Sequence, residues 1–151
     1  MTTNLKKRLV ILAMAVLPFC FGHAALAGPL DEAKARAHLD AVAAGNLDVL
    51  MRDYPDDAYM DWVGGPLEGR YHGKAAIKAV WEKWIAVNKG KPRPVTFGKL
   101  SAMGNKTGTS LETRAEYGGV LPVKVWHALV YRDGELDTEI WQIAPAMQMD
   151  K

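Results

Sequence analysis

The stretch DDAYMDWVGGPLEGRYHGKAAIKAVWEKW, residues 56–84, carries two periodicities back to back. AYMDWV, 58–63, reads as a short strand between turn acids and glycines. Gly64, Gly65, Pro66 and Gly69 then break the pattern and allow a loop, and Gly73 admits a helix. In that helix Ile77, Val80, Trp81, Trp84 and Ile85 form one stripe, while Lys78, Glu82 and Lys83 lie elsewhere. The segment therefore predicts a strand leading to the rim of a pocket, and a helix folded back over it. Tyr59 and Trp62 are expected on the pocket side.

Upstream, LDEAKARAHLDAVAAG, 30–45, places Ala35, Leu39, Val42 and Ala43 near helical spacing. Asp31 and Glu32 suit its first turn, and Gly45 ends it. NLDVLMRDY restarts a helix with Asn46 as N-cap, and Pro55 stops it. Downstream, NKGKPRP, 88–94, reads as a solvated connection. Strands are expected at about 94–103, 107–117, 121–131 and 136–144, with MGNKT, YGGV and YRDGE as hairpin signals. Helices first and an antiparallel meander second make an α+β domain. There is no internal repeat, no low-complexity tract and no second domain.

The first residues read as a targeting segment. KKR at 6–8 is a basic n-region, LVILAMAVLPFCF at 9–21 is apolar but short, and Ala25 and Ala27 sit where a signal peptidase reads. The expectation is a signal peptide over 1–27 and one domain over 28–151, in a secreted, periplasmic protein. Losing Lys6, Lys7 and Arg8 from 19 basic against 17 acidic residues leaves a net charge near −1. Nothing in that balance asks for nucleic acid or an anionic membrane. The single cysteine, Cys20, leaves with the signal, so no thiolate or disulfide is expected in the domain.

In order and spacing, three pieces resemble the NTF2-like, or SnoaL-like, superfamily, which includes ketosteroid isomerases and polyketide cyclases. They are AAGNLDVLMRDYPDDAYMDW, GRYHGKAAIKAVWEKW and VYRDGELDTEIWQI. The resemblance covers nearly all of the chain after the signal. It implies a cone: helices packed on a curved, mainly antiparallel sheet that encloses a pocket. It also implies a homodimer through the convex face of the sheet, where Trp126, Ala128 and Val130 form an apolar patch.

The resemblance does not carry over the isomerase's catalytic set. Trp62 stands where the carboxylate base is expected, with Asp61 beside it. His38 stands where the tyrosine is expected, and His127 where the protonated aspartic acid is expected. These positions still imply a pocket lining. In VKVWHALVY, His127 shares a face with Val123, Val125, Leu129 and Tyr131. It is either a satisfied core histidine or a general base or ligand hydrogen-bonder, since imidazole titrates near neutral pH.

Register decides its neighbours. A three-residue loop, Arg132-Asp133-Gly134, pairs His127 with Glu139, and this is the favoured reading. Glu139 then raises the His127 pKa. A two-residue Asp133-Gly134 turn instead pairs His127 with Ile140 and turns Glu139 away. Counting back from a two-residue Gly118-Gly119 turn puts Glu112 and Arg114 on the His127 face. The plainer reading of Glu112-Arg114-Glu116 is an exposed ion-pair row. An Arg held between acids resembles, in logic, the site of limonene-epoxide hydrolases on the same fold. Trp81 and Trp84 read as core, while Trp62 and Trp141 read as pocket walls.

No metal site is expected, because the histidines are scattered and no HxH or HExxH occurs. No cofactor is expected either, since no P-loop or dinucleotide fingerprint is present. Two functions remain open. One is a binding module for a small apolar molecule, contacted by His38, Tyr59, Trp62, Glu112, Arg114 and Trp141. The other is a cofactor-free isomerase, polyketide cyclase or epoxide hydrolase using His127 with Glu139, or Arg114 with Glu112.

Overall fold

The computed structural model describes residues 29–150. The expected signal peptide, its expected cleavage site and Cys20 lie outside the described residues. The described chain runs α1 (Pro29–Ala44), α2 (Leu47–Leu50), β1 (Tyr59–Val63), β2 (Gly69–His72), α3 (Lys74–Val87), β3 (Val95–Phe97), β4 (Ser101–Asn105), β5 (Gly108–Tyr117), β6 (Val123–Arg132) and β7 (Glu135–Ile143). One sheet holds all the strands in the order β2-β1-β7-β6-β5-β3, with β4 also on β5. Every pairing is antiparallel except β1 on β7. The helices cover one face of this curved sheet, giving the expected α+β cone. No described helix is long and apolar enough to cross a membrane.

Local chemistry explains most boundaries. Asn46 caps α2 by accepting from the Val49 amide at 3.2 Å. Gly73 opens α3 with φ 90°, where a side chain is strained. GRYH, expected to be loop, pairs as β2 against β1, with Trp62 opposite Gly69. The expected strand over 94–103 is two short strands on either side of residues 98–100.

Two turns set the faces of the last three strands. The first is a wide loop, 118–122, where a two-residue turn was expected, so Tyr117 pairs with Val123. The cause lies in NKGKPRP, which is not a solvated connection throughout. Asn88 and Arg93 are buried in it. The Asn88 side chain accepts from the Val120 amide at 3.0 Å, and Arg93 Nη1 donates to the carbonyls of Gly118 and Leu121, both at 3.1 Å. The loop is held open by side chains nearly thirty residues upstream.

The second is the two-residue turn Asp133-Gly134, with φ of 51° and 78° and Arg132 opposite Glu135. Positive φ at both centres is the hairpin geometry that matches strand twist. A bulge follows at once: Tyr131 pairs with Leu136, but Val130 pairs with Thr138, leaving Asp137 unpaired. The extra residue reverses the parity a second time. His127 therefore pairs with Trp141 and Leu129 with Glu139, so neither sequence register holds. Glu139 nevertheless faces inward with His127.

Candidate functional site

The interior of the cone is filled by side chains. Trp62 stacks on Trp141 with centroids 4.7 Å apart, and Trp81 and Trp84 meet Trp141 edge-on at 5.2 and 5.0 Å. Tyr117 stacks on Trp141 from another side, at 5.3 Å. Trp62 and Trp141, expected as pocket walls, belong instead to a packed aromatic core together with Trp81 and Trp84.

Beneath this layer lies a polar network centred on Glu139, which is fully buried. His38 Nε2–H, from α1, donates to its Oε1 at 3.3 Å. The Tyr54 hydroxyl donates to Oε2 and accepts from Trp81 Nε1 at 3.1 Å. His127 Nδ1, from β6, faces Oε1 at 3.6 Å, an ion-pair distance beyond hydrogen-bond reach. On its other side His127 Nε2 lies 3.1 Å from the Tyr117 hydroxyl. The arrangement that fits these contacts best is a charged Glu139, a neutral His127 with its proton on Nδ1 turned toward Glu139, and Tyr117 donating to Nε2.

The electrostatics agree with that arrangement. Burial alone pushes Glu139 up, but the imidazoles of His38 and His127 bring it down to about 2. Burial lowers His127, and this outweighs the opposite pull of Glu139. The expected net rise of His127 is therefore reversed: losing water at full burial costs the imidazolium more than one carboxylate returns. Burial and Glu139 together raise Tyr54 and Tyr117, keeping both as donors. A buried carboxylate with facing imidazoles has the parts of a general base, but no substrate reaches it without displacing aromatic rings.

Other candidates lie elsewhere. Arg114 pairs with Trp126, and Glu112 with Ala128, so both face the convex side. Glu112 is exposed, and Arg114 bonds Asp150 of the C-terminal tail. Their expected place in the pocket is corrected by the wide 118–122 loop. Tyr59 is 43% exposed and stacks on His72 at 4.3 Å. It cannot face inward with Met60 and Trp62, because strand parity sends it outward beside Asp61. No group of three His, Cys, Asp or Glu side chains could hold a metal ion among the described residues.

Sequence reasoning missed Tyr54, the donor that closes the network. Its signal was Leu50, Met51 and Tyr54 continuing the helical spacing after Asn46. It also missed Arg93. Its guanidinium lies 3.9 Å from the centroid of the Trp84 ring. Trp84 in turn walls an apolar groove of about 120 Å³, floored by Trp62 and rimmed by Leu67, Val87, Leu121 and Ile143. The groove opens at one end of the cone, between the C-terminal turn of α3 and the 118–122 loop. It is the most apolar of the described surface depressions.

A SnoaL-like domain model matches residues 35–137. No match was found among curated proteins. Solved structures share the fold at low identity. An NTF2-like protein of unknown function from Pseudomonas putida KT2440 aligns with TM-score 0.65 and 16% identity over 80% of this chain and 92% of that one. One from Burkholderia xenovorans LB400 aligns with TM-score 0.58 and 22% identity, over 79% and 86%. A ketosteroid isomerase-like protein from Erwinia carotovora atroseptica SCRI1043 aligns with TM-score 0.57 and 16% identity, over 76% and 93%. The cone, its element order and the matched span together place this chain in the SnoaL-like, NTF2-like family.

Proposed function

We propose that this protein is an exported, periplasmic member of the family that binds a small apolar molecule in the groove over Trp62 and Trp84. The observation that carries the reading is the groove itself. Its walls are almost wholly apolar, and Val87 and Leu121 stand exposed at its rim. Exposed apolar surface of this kind gains by being covered. Binding pockets for drug-sized ligands enclose roughly 300–1,000 Å³. A groove of about 120 Å³ suits one ring or a short alkyl segment. Native mass spectrometry of protein purified from its own export pathway, with toluene as a titrated probe, tests this. Retained small molecules, or saturable toluene binding lost in Leu121→Glu, is expected. No binding of either kind overturns the reading.

A second reading, a cofactor-free acid–base enzyme, is favoured by one observation: His127 and Glu139 meet inside the cone. The hydrolase form built on Arg114 and Glu112 is not retained, because both face outward. The isomerase form requires turnover that disappears in Glu139→Gln while the fold persists.

We further propose that the convex face pairs with a second copy. Trp126 and Ile140 line a broad depression there. The C-terminal tail borders it, through the Ala144 amide on the Lys124 carbonyl and Lys124 Nζ on the Met147 carbonyl.

A further inference from the structure

The apolar groove adjoins a buried cation, Arg93, which meets the groove residues Trp84 and Leu121. Arg93 is only 5% exposed, and it makes no ion pair among the described residues. Its Nη1 is used by two loop carbonyls, its face is used by Trp84, and its Nη2 has no hydrogen-bond partner. Burial lowers its pKa, which marks the loss of solvation. Two further buried donors without partners, Trp84 Nε1 and Trp141 Nε1, belong to rings in contact with one another. Lys83 adds a second positive charge at the groove. The other unpartnered buried side-chain atoms, on His38, His127 and Tyr131, belong to residues around Glu139.

A guanidinium is never discharged in a protein and asks for a planar acceptor. Buried donors left unmet are costly, so an acceptor that reaches them gains more than a surface contact would. Resting on the groove reading, we infer that the ligand is a small apolar carboxylate: its ring or alkyl part lies over Trp62 and Trp84, and its carboxylate is held by Arg93 with Lys83. Arg93 does not itself line the groove but meets two residues that do, the Trp84 ring and the Leu121 carbonyl, so the headgroup has to enter beside Leu121, whose side chain is 48% exposed. The carbonyl of Leu121 is already on Arg93, so the same loop residue covers the cation and fixes it. Charge complementarity sets the class; the small volume sets the size.

Calorimetric titration with 3-phenylpropionate and with its neutral amide tests the inference. The two share a ring and differ in charge. In the wild-type protein the acid should bind about tenfold or more tighter, as hydrogen bonds to a charged group require. Arg93→Met should cut that preference to what Lys83 alone supplies, read as the ratio of acid to amide affinity within the same variant, with thermal melting to confirm the fold. Arg93→Lys should retain part of the preference. Equal binding of acid and amide to wild type overturns the carboxylate and leaves the apolar groove standing. A preference undiminished in folded Arg93→Met also overturns it. If neither compound nor toluene binds, the groove reading and this inference fail together. The wild-type comparison decides the case even if Arg93→Met does not fold.

Discussion

Glu139 and Arg93 are both buried charges, and the fold treats them differently. Glu139 is ringed by partners from three other parts of the chain: His38 on α1, Tyr54 after α2 and His127 on β6. Arg93 is steadied by two carbonyls and a ring face but meets no anion among the described residues. A charge whose hydrogen bonds the protein supplies itself holds the structure together. A charge left without its counterpart is available to something else. The contrast separates a structural centre from a binding one within a single small cone.

Removing the structural centre should have the largest effect. Glu139→Ala leaves His38 and Tyr54 without their acceptor and should cost about 3–5 kcal/mol, the usual scale for breaking a buried pair. Urea denaturation measures it. A loss below about 1 kcal/mol would place Glu139 in the class of surface ion pairs.

Acid should act through the same centre. Glu139 is held at about 2 against an ordinary 4.5, and His127 lies below its ordinary 6.5. Both groups bind fewer protons folded than unfolded, so both contribute stability that is present at higher pH and lost on acidification. His127 should begin the loss below its unfolded value, and Glu139 should add to it as pH falls from 4.5 toward 2. The Glu139→Gln protein should lack the second phase. Its His127 should also titrate lower by NMR, since the carboxylate that favoured the imidazolium is gone. An unchanged His127 titration would mean that the two side chains do not interact.

The convex face gives a smaller effect, on assembly rather than folding. Sedimentation should show a dimer at micromolar concentration, and Trp126→Glu should shift it to monomer with little change in melting. A monomeric wild type would leave the tail and solvent as the only cover of that face. The least effect on stability is expected at the groove rim. Leu121→Ser should change stability by no more than about 0.5 kcal/mol while weakening toluene binding several-fold. Loss of both together would mark the rim as core.

The architecture was largely legible because periodicity and turn chemistry are local. The stripe of α3, the Asn46 cap and the inward face of β6 all follow from spacing. What failed was register, which depends on residues far apart. The inward face of β5 is set by Asn88 and Arg93 gripping the 118–122 loop, and no signal inside YGGV announces that grip. Glu139 came out on the right face for a different reason than expected. The two-residue turn inverted the pattern, and the bulge at Asp137 inverted it back. Tyr59 was legible and misplaced: alternation with Trp62 does not allow the two to share a face three residues apart. Arg93 was hidden by composition, since a lysine-rich segment between prolines looks solvated throughout.

The parallel pairing of β1 with β7 also bears on when the chain can fold. Tyr59 sits opposite Thr138, and Met60 opposite Glu139, so the first strand of the sheet finds its inner neighbour only in the last. Contacts this distant along the chain close slowly, because loop entropy is lost before any pairing returns it. During synthesis, residues 29–134 can form helices and the β1–β2 hairpin, but they have neither the central strand nor the carboxylate that gathers His38, Tyr54 and His127. The β1–β2 hairpin and the β3–β6 part of the sheet are therefore joined only when β7, nearly the last segment made, takes its place between β1 and β6.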